Sequence, residues 1–426
     1  MARRTDDGAV PHVLILVQNL SVPLDRRVWQ ESTSLREAGF RVSVICPRAE
    51  GDASFEELDG VRIHRYEQPE NPGGTLNYFR EFALSWLRAA RLATRIYRHD
   101  PFHAIQACNP PDTLWAIALG FRLKGVKFVF DQHDLCPEVF EVRFPGGGRG
   151  LAAGLRFLER MSYATAATVI APNESYKAVA VSRGKLDPDR VHVVRSGPDP
   201  AVMRRGAADP ELRPAGRHLA CYLGIMGPQD GVDLVLRAVD VLVHDLGRTD
   251  IHVALLGFGD CLDDLKVLAE ELDVARHVTF TGRADKAMIS RYLSSAEVGL
   301  SPDPLNPFND VSTMNKTLEY MAFELPVVSF DLRETRVSAG DAATYVPDGD
   351  VRGFAEAVAA LVDDPERGRA MGLAGRERIE RSLGWPYQRE RYVAAYRALL
   401  GEPEPKNPTD GVIDLRGDQP TVEVAK

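Results

Sequence analysis

The densest grouping of residue types able to do chemistry lies between residues 305 and 331, LNPFNDVSTMNKTLEYMAFELPVVSFD. A loop of Asn, Asp and Ser runs into helix-forming sequence and then into an apolar strand opened by Pro326. Backbone N–H groups of Ser312, Thr313 and Met314 at the mouth of such a helix favour an anion such as phosphate. Lys316, beside Asn315, adds a mobile cation. Glu319 stands one turn after Asn315 on the same face, where its carboxylate can accept hydrogen bonds from hydroxyl groups. The plainer alternative makes Ser312 an N-cap and Glu319 a solvated helix charge. A second constellation, VFDQHD at 129–134, sets Asp131, His133 and Asp134 at the end of a short apolar run. An imidazole among carboxylates there suits proton transfer or ligand orientation, although a lone histidine is equally compatible with a structural role. Asn19 follows the first apolar run, and Asp25-Arg26-Arg27 opens the next helix. Paired guanidinium groups suit phosphate; the alternative is helix capping by Asp25 with solvated arginines.

These residues need a frame. In residues 1–200, β-branched apolar runs at 12–17, 41–46, 61–66, 103–107, 126–131, 168–171 and 191–194 alternate with amphipathic stretches at 25–38, 76–98, 112–123, 151–163 and 174–182. The second half repeats the rhythm, with strands at 218–223, 251–256, 278–281, 298–301, 327–330 and 344–347. Its helices are expected at 232–246, 261–272, 286–294, 314–323, 351–361 and 366–382. Near-continuous apolar strands between helices indicate α/β architecture: two doubly wound parallel sheets, each binding ligands at the carboxyl ends of its strands. The join is expected in the Pro-, Gly- and charge-rich segment 196–216. The expected division is an N-terminal domain at 1–200, a C-terminal domain at 201–384, a helix at 385–400 returning toward the first domain, and a flexible tail at 401–426, with a ligand cleft between the domains.

Composition excludes other classes. Hydrophobic residues make up 44% and charged residues 27%, a globular balance. No run of about 18 apolar residues marks a membrane-spanning helix. Residues 1–200 carry 26 basic and 24 acidic residues, whereas the remainder carries 26 and 37. The overall charge of −9 argues against nucleic acid as a partner. Five dispersed cysteines without a CxxC pair, and Asp6 and Asp7 where a signal peptide needs apolar residues, point to reduced thiols and a cytoplasmic location. The DPD at 187–189 reads as a turn before a strand, not as a metal motif.

The order of several motifs narrows the reading. YLGIMGPQDGVDLVLRA, LLGFGDCLDDLKVLAEEL, VTFTGRADKAMISRYLSSAEVGLSPD and NKTLEYMAFELPVVSFD follow one another in the second half, and VLILVQNLSVPLDRRVWQESTSLREAGFRVSVICP stands near the start. Together they resemble family 4 glycosyltransferases, also called glycosyltransferase group 1. The opening is similar to a subgroup that builds bacterial surface polysaccharides. The resemblance covers roughly residues 11–400 and implies the GT-B fold, two Rossmann-like domains facing a cleft. It further implies a nucleotide-diphosphate sugar donor, expected to be UDP-linked, retention of anomeric configuration, and no metal or other cofactor.

On this resemblance Glu319 matches a ribose-binding glutamate. The family's other glutamate, eight positions earlier, is here Val311, with Asp310 or Asn309 as possible stand-ins. The diphosphate-binding Arg and Lys that usually follow the first strand of the second domain are here Ile225 and Asp230. Gly224, Gly227 and Gly231 remain for backbone contact, and Lys316, Arg283, Arg26 or Arg27 could supply the charge. Gly257 of the GFGD turn and Arg283 match donor-side loops, and His133 matches a histidine near the reacting centre.

Residues 78–99 form a basic, aromatic-bearing amphipathic pattern. It either covers its own sheet or rests on an anionic membrane at the inner face of the plasma membrane; the resemblance adds lipid-linked or glycan acceptors as partners. Two rival readings remain: a UDP-sugar 2-epimerase of the same fold, and a non-catalytic nucleotide-sugar-binding subunit. A dehydrogenase is disfavoured because QNLSVPLD, not GxGxxG, follows the first strand.

Overall fold

The computed structural model describes residues 10–68, 75–146, 148–213 and 216–400; the tail expected at 401–426 lies outside the described residues. The described chain forms two compact units, one holding residues up to Val194 and those from Arg389, the other Arg195–Gln388.

Unit 1 is built on β1 (His12–Leu16), β2 (Arg41–Pro47), β3 (Phe55–Leu58), β4 (Val61–Tyr66), β5 (Ala104–Cys108), β6 (Lys127–Asp131), β7 (Thr168–Ala171) and β8 (Val191–Val193). Their order in the sheet is β3-β4-β2-β1-β5-β6-β7-β8, parallel throughout except for β3 against β4. The inner strands β1 and β5 are wholly buried, as expected where helices cover both faces. Those helices are α1 (Arg26–Glu37), α2 (Thr75–His99), α3 (Trp115–Arg122), α4 (Cys136–Arg143), α5 (Arg149–Thr165) and α6 (Glu174–Gly184). Asp25 caps α1 by accepting from the Val28 N–H, and Asn173 caps α6 through Tyr176 N–H, so each helix start is fixed by a side-chain oxygen.

In unit 2, β9 (His218–Leu223), β10 (Ile251–Leu256), β11 (Val278–Gly282), β12 (Val298–Ser301), β13 (Val327–Phe330) and β14 (Ala343–Val346) form a wholly parallel sheet ordered β11-β10-β9-β12-β13-β14. Around it lie α7 (Val232–Asp240), α8 (Leu262–Glu271), α9 (Lys286–Ser295), α10 (Asn315–Ala322), α11 (Arg333–Ala339), α12 (Val351–Asp363) and α13 (Pro365–Arg378). One face packs Val235, Leu236, Leu255, Phe330 and Phe354; the other packs Leu219, Leu293, Leu318, Tyr320 and Ile379. A last helix, α14 (Trp385–Leu400), contributes its residues from Arg389 to unit 1.

The sequence patterning did not anticipate β3, α4 or α11. In β3 the sequence FEEL alternates exposed and half-buried positions and pairs along the sheet edge, so no apolar run announces it. The helix expected at 232–246 is α7 followed by a π-type turn at Val241–Asp245, and that expected at 366–382 is α13 followed by another at Ile379–Leu383. Among the described residues no helix is long and apolar enough to cross a membrane.

Candidate active site

In unit 1 the sequence-predicted residues converge where β6 ends. Asp131, fully buried, takes the Arg27 guanidinium on Oδ1 at 2.8 Å and the His133 Nε2 on Oδ2 at 2.7 Å. An ionised carboxylate only accepts, so this contact assigns a ring proton to Nε2. Burial works against the Asp131 charge, but Arg27 and His133 outweigh it and hold the carboxyl well below the usual range. Burial raises the Asp134 carboxyl, with His133 opposing. The loop carrying His133 and Asp134 is pinned by Asn109, whose Oδ1 accepts both backbone N–H groups while its Nδ2 donates to the Asp134 carbonyl and to Asp112.

Arg27 departs from the expectation of a phosphate-facing cation. It is buried, donates to the Val194 carbonyl at 3.0 Å, and pairs with Asp131 and, one helical turn along α1, with Glu31 at 3.1 Å. A phosphate would have to displace carboxylates to reach it. Arg26 lies half-buried on the same first turn. Asp25 does cap the helix. Asn19 is exposed in the loop after β1, on a different unit from the other donor-binding candidates.

Sequence reasoning missed Glu31, Gln106 and Asn109. Glu31 is fully buried, and desolvation together with the Asp131 charge pushes its carboxyl well above the usual range, against the pull of Arg27. Gln106 is the polar residue in the buried strand AIQAC and donates to both Glu31 and Asp131. A lone polar residue inside a buried strand, and an Arg–Glu pair four apart on α1, were the available signals. Glu31, Cys108, Asp131 and His133 bring donor atoms within 4.8 Å of one another. Arg27 and Gln106 already face those carboxylates, so a guanidinium and an amide compensate and hydrogen-bond the cluster.

In unit 2 the carboxyl ends of β9, β10 and β12 carry the predicted loops. Gly224 N–H donates to Leu256 O, Gly257 N–H to Gly282 O, and Met226 N–H to Phe258 O, so the loops extend the sheet beyond its strands. Gly257 has φ +152°, and a Cβ there would stand 1.8 Å from the Gly224 carbonyl oxygen. Only glycine permits that approach, which explains the GFGD turn structurally. A Cβ at Gly224 or Gly227 would meet side chains instead, those of Tyr222 and Lys316 or of Gln229 and Asp230. Arg283, exposed, lies over the Phe258 ring at 4.3 Å.

Lys316 is not the mobile cation expected. It is buried, bonds Asp303 Oδ1 at 2.5 Å, stands 3.9 Å from Asp230, and lies over the Tyr222 ring at 5.1 Å. Burial disfavours its charge, but Asp303 and Asp230 prevail and raise its pKa. The neighbouring loop is equally ordered. Ser312 N–H donates to Asn309 O and its Oγ to Phe308 O; Asn309 ties this loop to Gln229 O. Thr313 Oγ1 accepts from the buried Arg195, a cation that sequence reasoning overlooked. Met314 occupies the N-cap position without a side-chain cap bond, and α10 begins at Asn315. Asp310, offered as a stand-in for the missing glutamate, accepts from Arg333 N–H and pairs with its guanidinium. Glu319 is buried on α10 and therefore is not a solvated charge.

Comparisons with known proteins agree with this architecture. Residues 217–364 match the model of glycosyl transferases group 1, and residues 24–197 match that of the glycosyl transferase 4-like domain. The chain is 29% identical over 338 residues to alpha-maltose-1-phosphate synthase of Mycolicibacterium smegmatis, covering 74% of this chain and 82% of that one. Among solved structures, sucrose-phosphate synthase from Thermosynechococcus elongatus superposes with a TM-score of 0.76 at 17% identity, over 92% of this chain and 99% of that chain. HepE of Anabaena in complex with UDP-glucose gives 0.68 at 13% identity, over 91% and 99%. These likenesses fix the fold as GT-B, and the chain is a glycosyltransferase of the group 1, glycosyltransferase-4-like type.

Proposed function

We propose that this enzyme moves a sugar from a UDP-linked donor to a hydroxyl acceptor in glycan, glycolipid or exopolysaccharide assembly, with retention at the anomeric carbon. The observation that carries the reading is the ordered cation Lys316 at the start of α10, beside the glycine loops of β9 and β10. Its charge, with backbone N–H groups near the helix mouth, suits the negative charge that grows on a departing nucleoside diphosphate. The acceptor oxygen bonds to C1 as the C1–O bond to the diphosphate breaks, and the acceptor's proton leaves with the phosphate. Glu319 serves the ribose hydroxyls, Arg283 and Phe258 flank the base, and Asp131–His133 orients the reacting sugar. That a structure of the same fold holds UDP-glucose supports the donor class. No metal enters this scheme, because Lys316 and the helix terminus carry the neutralising role.

We place the reaction in the cytoplasm at a membrane periphery, supported by the exposed Arg91, Arg95, Arg98 and Leu87 on α2. Trp86 does not serve as an anchor, since its indole N–H donates to the Thr113 carbonyl.

A second reading, a nucleotide-sugar-binding subunit without transfer, is favoured by one observation. Ile225 and Asp230 stand where the family has cations, and Asp230 and Asp303 both face Lys316. A thermal-shift screen against UDP, GDP, ADP, TDP and their sugars, with and without magnesium, tests both readings. A metal-independent rise with UDP ligands, together with UDP release from the sugar when acceptor is present, supports transfer. A rise without release supports the binding subunit, and no rise with UDP ligands removes the donor assignment.

A further inference from the structure

The buried cluster of unit 1 contains an element that the reading above does not use. Gln106 Oε1 accepts hydrogen bonds from two phenols of α14, Tyr392 at 2.7 Å and Tyr396 at 2.5 Å. The opposite end of the same amide donates to Glu31 at 2.7 Å and to Asp131 at 3.0 Å. All five residues are buried.

We propose that Gln106, oriented by Tyr392 and Tyr396, is a positioning residue that fixes the Asp131–His133 pair for transfer. An amide side chain is nearly symmetric in shape, so its direction is set by its partners alone. Here two hydroxyl donors face one end and two carboxyl groups the other. Burial pushes both tyrosines well above their ordinary titration range, so they remain protonated and donate. Turning the amide over would set its oxygen against two carboxyls and its N–H groups against two O–H groups. The amide oxygen would then face the ionised Asp131 oxygen, acceptor against acceptor, and that buried carboxylate would lose a donor. With the amide fixed, Asp131 Oδ2 receives Gln106 Nε2–H on one side and His133 Nε2–H on the other, while Oδ1 takes Arg27. The carboxylate plane and the imidazole proton on Nε2 follow from this arrangement.

Burial and the Asp131 charge push the Glu31 carboxyl well above its ordinary range, while Arg27 pairs closely with Asp131. Cys108, whose thiol burial holds protonated, adds a weak contact to Asp131 at 3.5 Å. The tyrosines are spaced i, i+4 on α14, which puts both hydroxyls on one helix face. The proposal deepens the catalytic reading of His133 and rests on it.

The experiment compares wild type with Tyr392→Phe/Tyr396→Phe, Tyr392→Phe alone, Gln106→Leu and His133→Ala. One readout is the ¹⁵N shift pattern of the His133 ring in the nucleotide-free full-length protein. The other is kcat and KM for UDP release from UDP-glucose. The double variant keeps the tyrosine rings and serves if Gln106→Leu fails to fold. In it the Nε2–H signature gives way to a tautomer mixture, and kcat falls about tenfold with KM within about twofold. Tyr392→Phe alone, with one hydroxyl left, retains most of both. Unchanged ring shifts in the double variant overturn the positioning role whatever the turnover. Altered shifts with full turnover in both the double variant and His133→Ala overturn the catalytic reading of His133 and the proposal with it, a failure the spectra separate from the first.

Discussion

Both units place one cation and two carboxyl groups at the carboxyl end of an inner strand, and they dispose of the surplus acid differently. In unit 1 Arg27 touches both Asp131 and Glu31, burial and the Asp131 charge push the Glu31 carboxyl well above its ordinary range, and a glutamine amide bonds to each. In unit 2 Lys316 touches Asp303 closely and leaves Asp230 at 3.9 Å, partly exposed. In the first arrangement both Asp131 oxygens accept hydrogen bonds, while among the described residues Glu31 Oε1 has only the ion-pair contact with Arg27. The second holds its cation closely on one carboxylate and at 3.9 Å from the other, which is itself fixed by the Gly227 N–H. The same residue count, one cation and two carboxyl groups, therefore gives two differently spaced centres.

The contrast can be broken by removing the close carboxylate from each side. Asp131→Ala removes the closest carboxylate partner of the buried Arg27 and should cost about 3–5 kcal/mol in chemical denaturation. Asp303→Ala leaves Lys316 with Asp230 and should cost about 2 kcal/mol. Equal losses would mean that the two centres do not differ in how firmly they hold their cation.

A second experiment sharpens the claim that burial in unit 1 raises its carboxyl groups. Burial pushes Asp112 up to about 7 from an ordinary 3.8. A carboxyl whose folded value is raised stabilises the fold fully below its unfolded value and loses that contribution as pH rises through the folded one. The window is therefore about pH 4–7, and the contribution lost across it is about 4 kcal/mol. Asp112→Asn should flatten the stability–pH curve across that window by this amount. A variant curve as steep as the parent's would remove Asp112 as the cause.

Kinetics and calorimetry separate binding from reaction. His133→Ala should lower UDP release about a hundredfold and leave UDP affinity within about twofold. Glu319→Ala should weaken UDP about tenfold by calorimetry. If His133→Ala weakened UDP and lowered the melting temperature together, the unit 1 centre would be structural.

The two sheets were legible because β-branched apolar runs repeat at βα spacing, and strands such as β9, β10 and β13 lie at the residues expected. The edge strand β3 was not, since its charged alternation resembles a loop. At the sites, residue types in a local motif were readable, as with Asp131 and His133 or Lys316 and Glu319. Their partners were not. Asp303 lies 13 residues before Lys316, and Tyr396 lies 290 residues after Gln106, so neither pairing leaves a trace in local spacing. The mobility expected of Lys316 failed for the same reason: a lysine beside a helix start looks free until the chain folds an aspartate against it.

The crossing of the β9 and β10 loops has a consequence for directed evolution of donor choice. Gly257 faces the Gly224 carbonyl, and Gly259 faces the Met226 backbone, at distances that exclude a Cβ. Randomising these glycines would yield mostly unfolded clones, however large the library. Ile225 and Phe258, exposed on the same loops, and Arg283, stacked on Phe258 from the loop after β11, have room to vary. Diversity concentrated on those three codons samples side-chain chemistry on a backbone that every clone inherits intact.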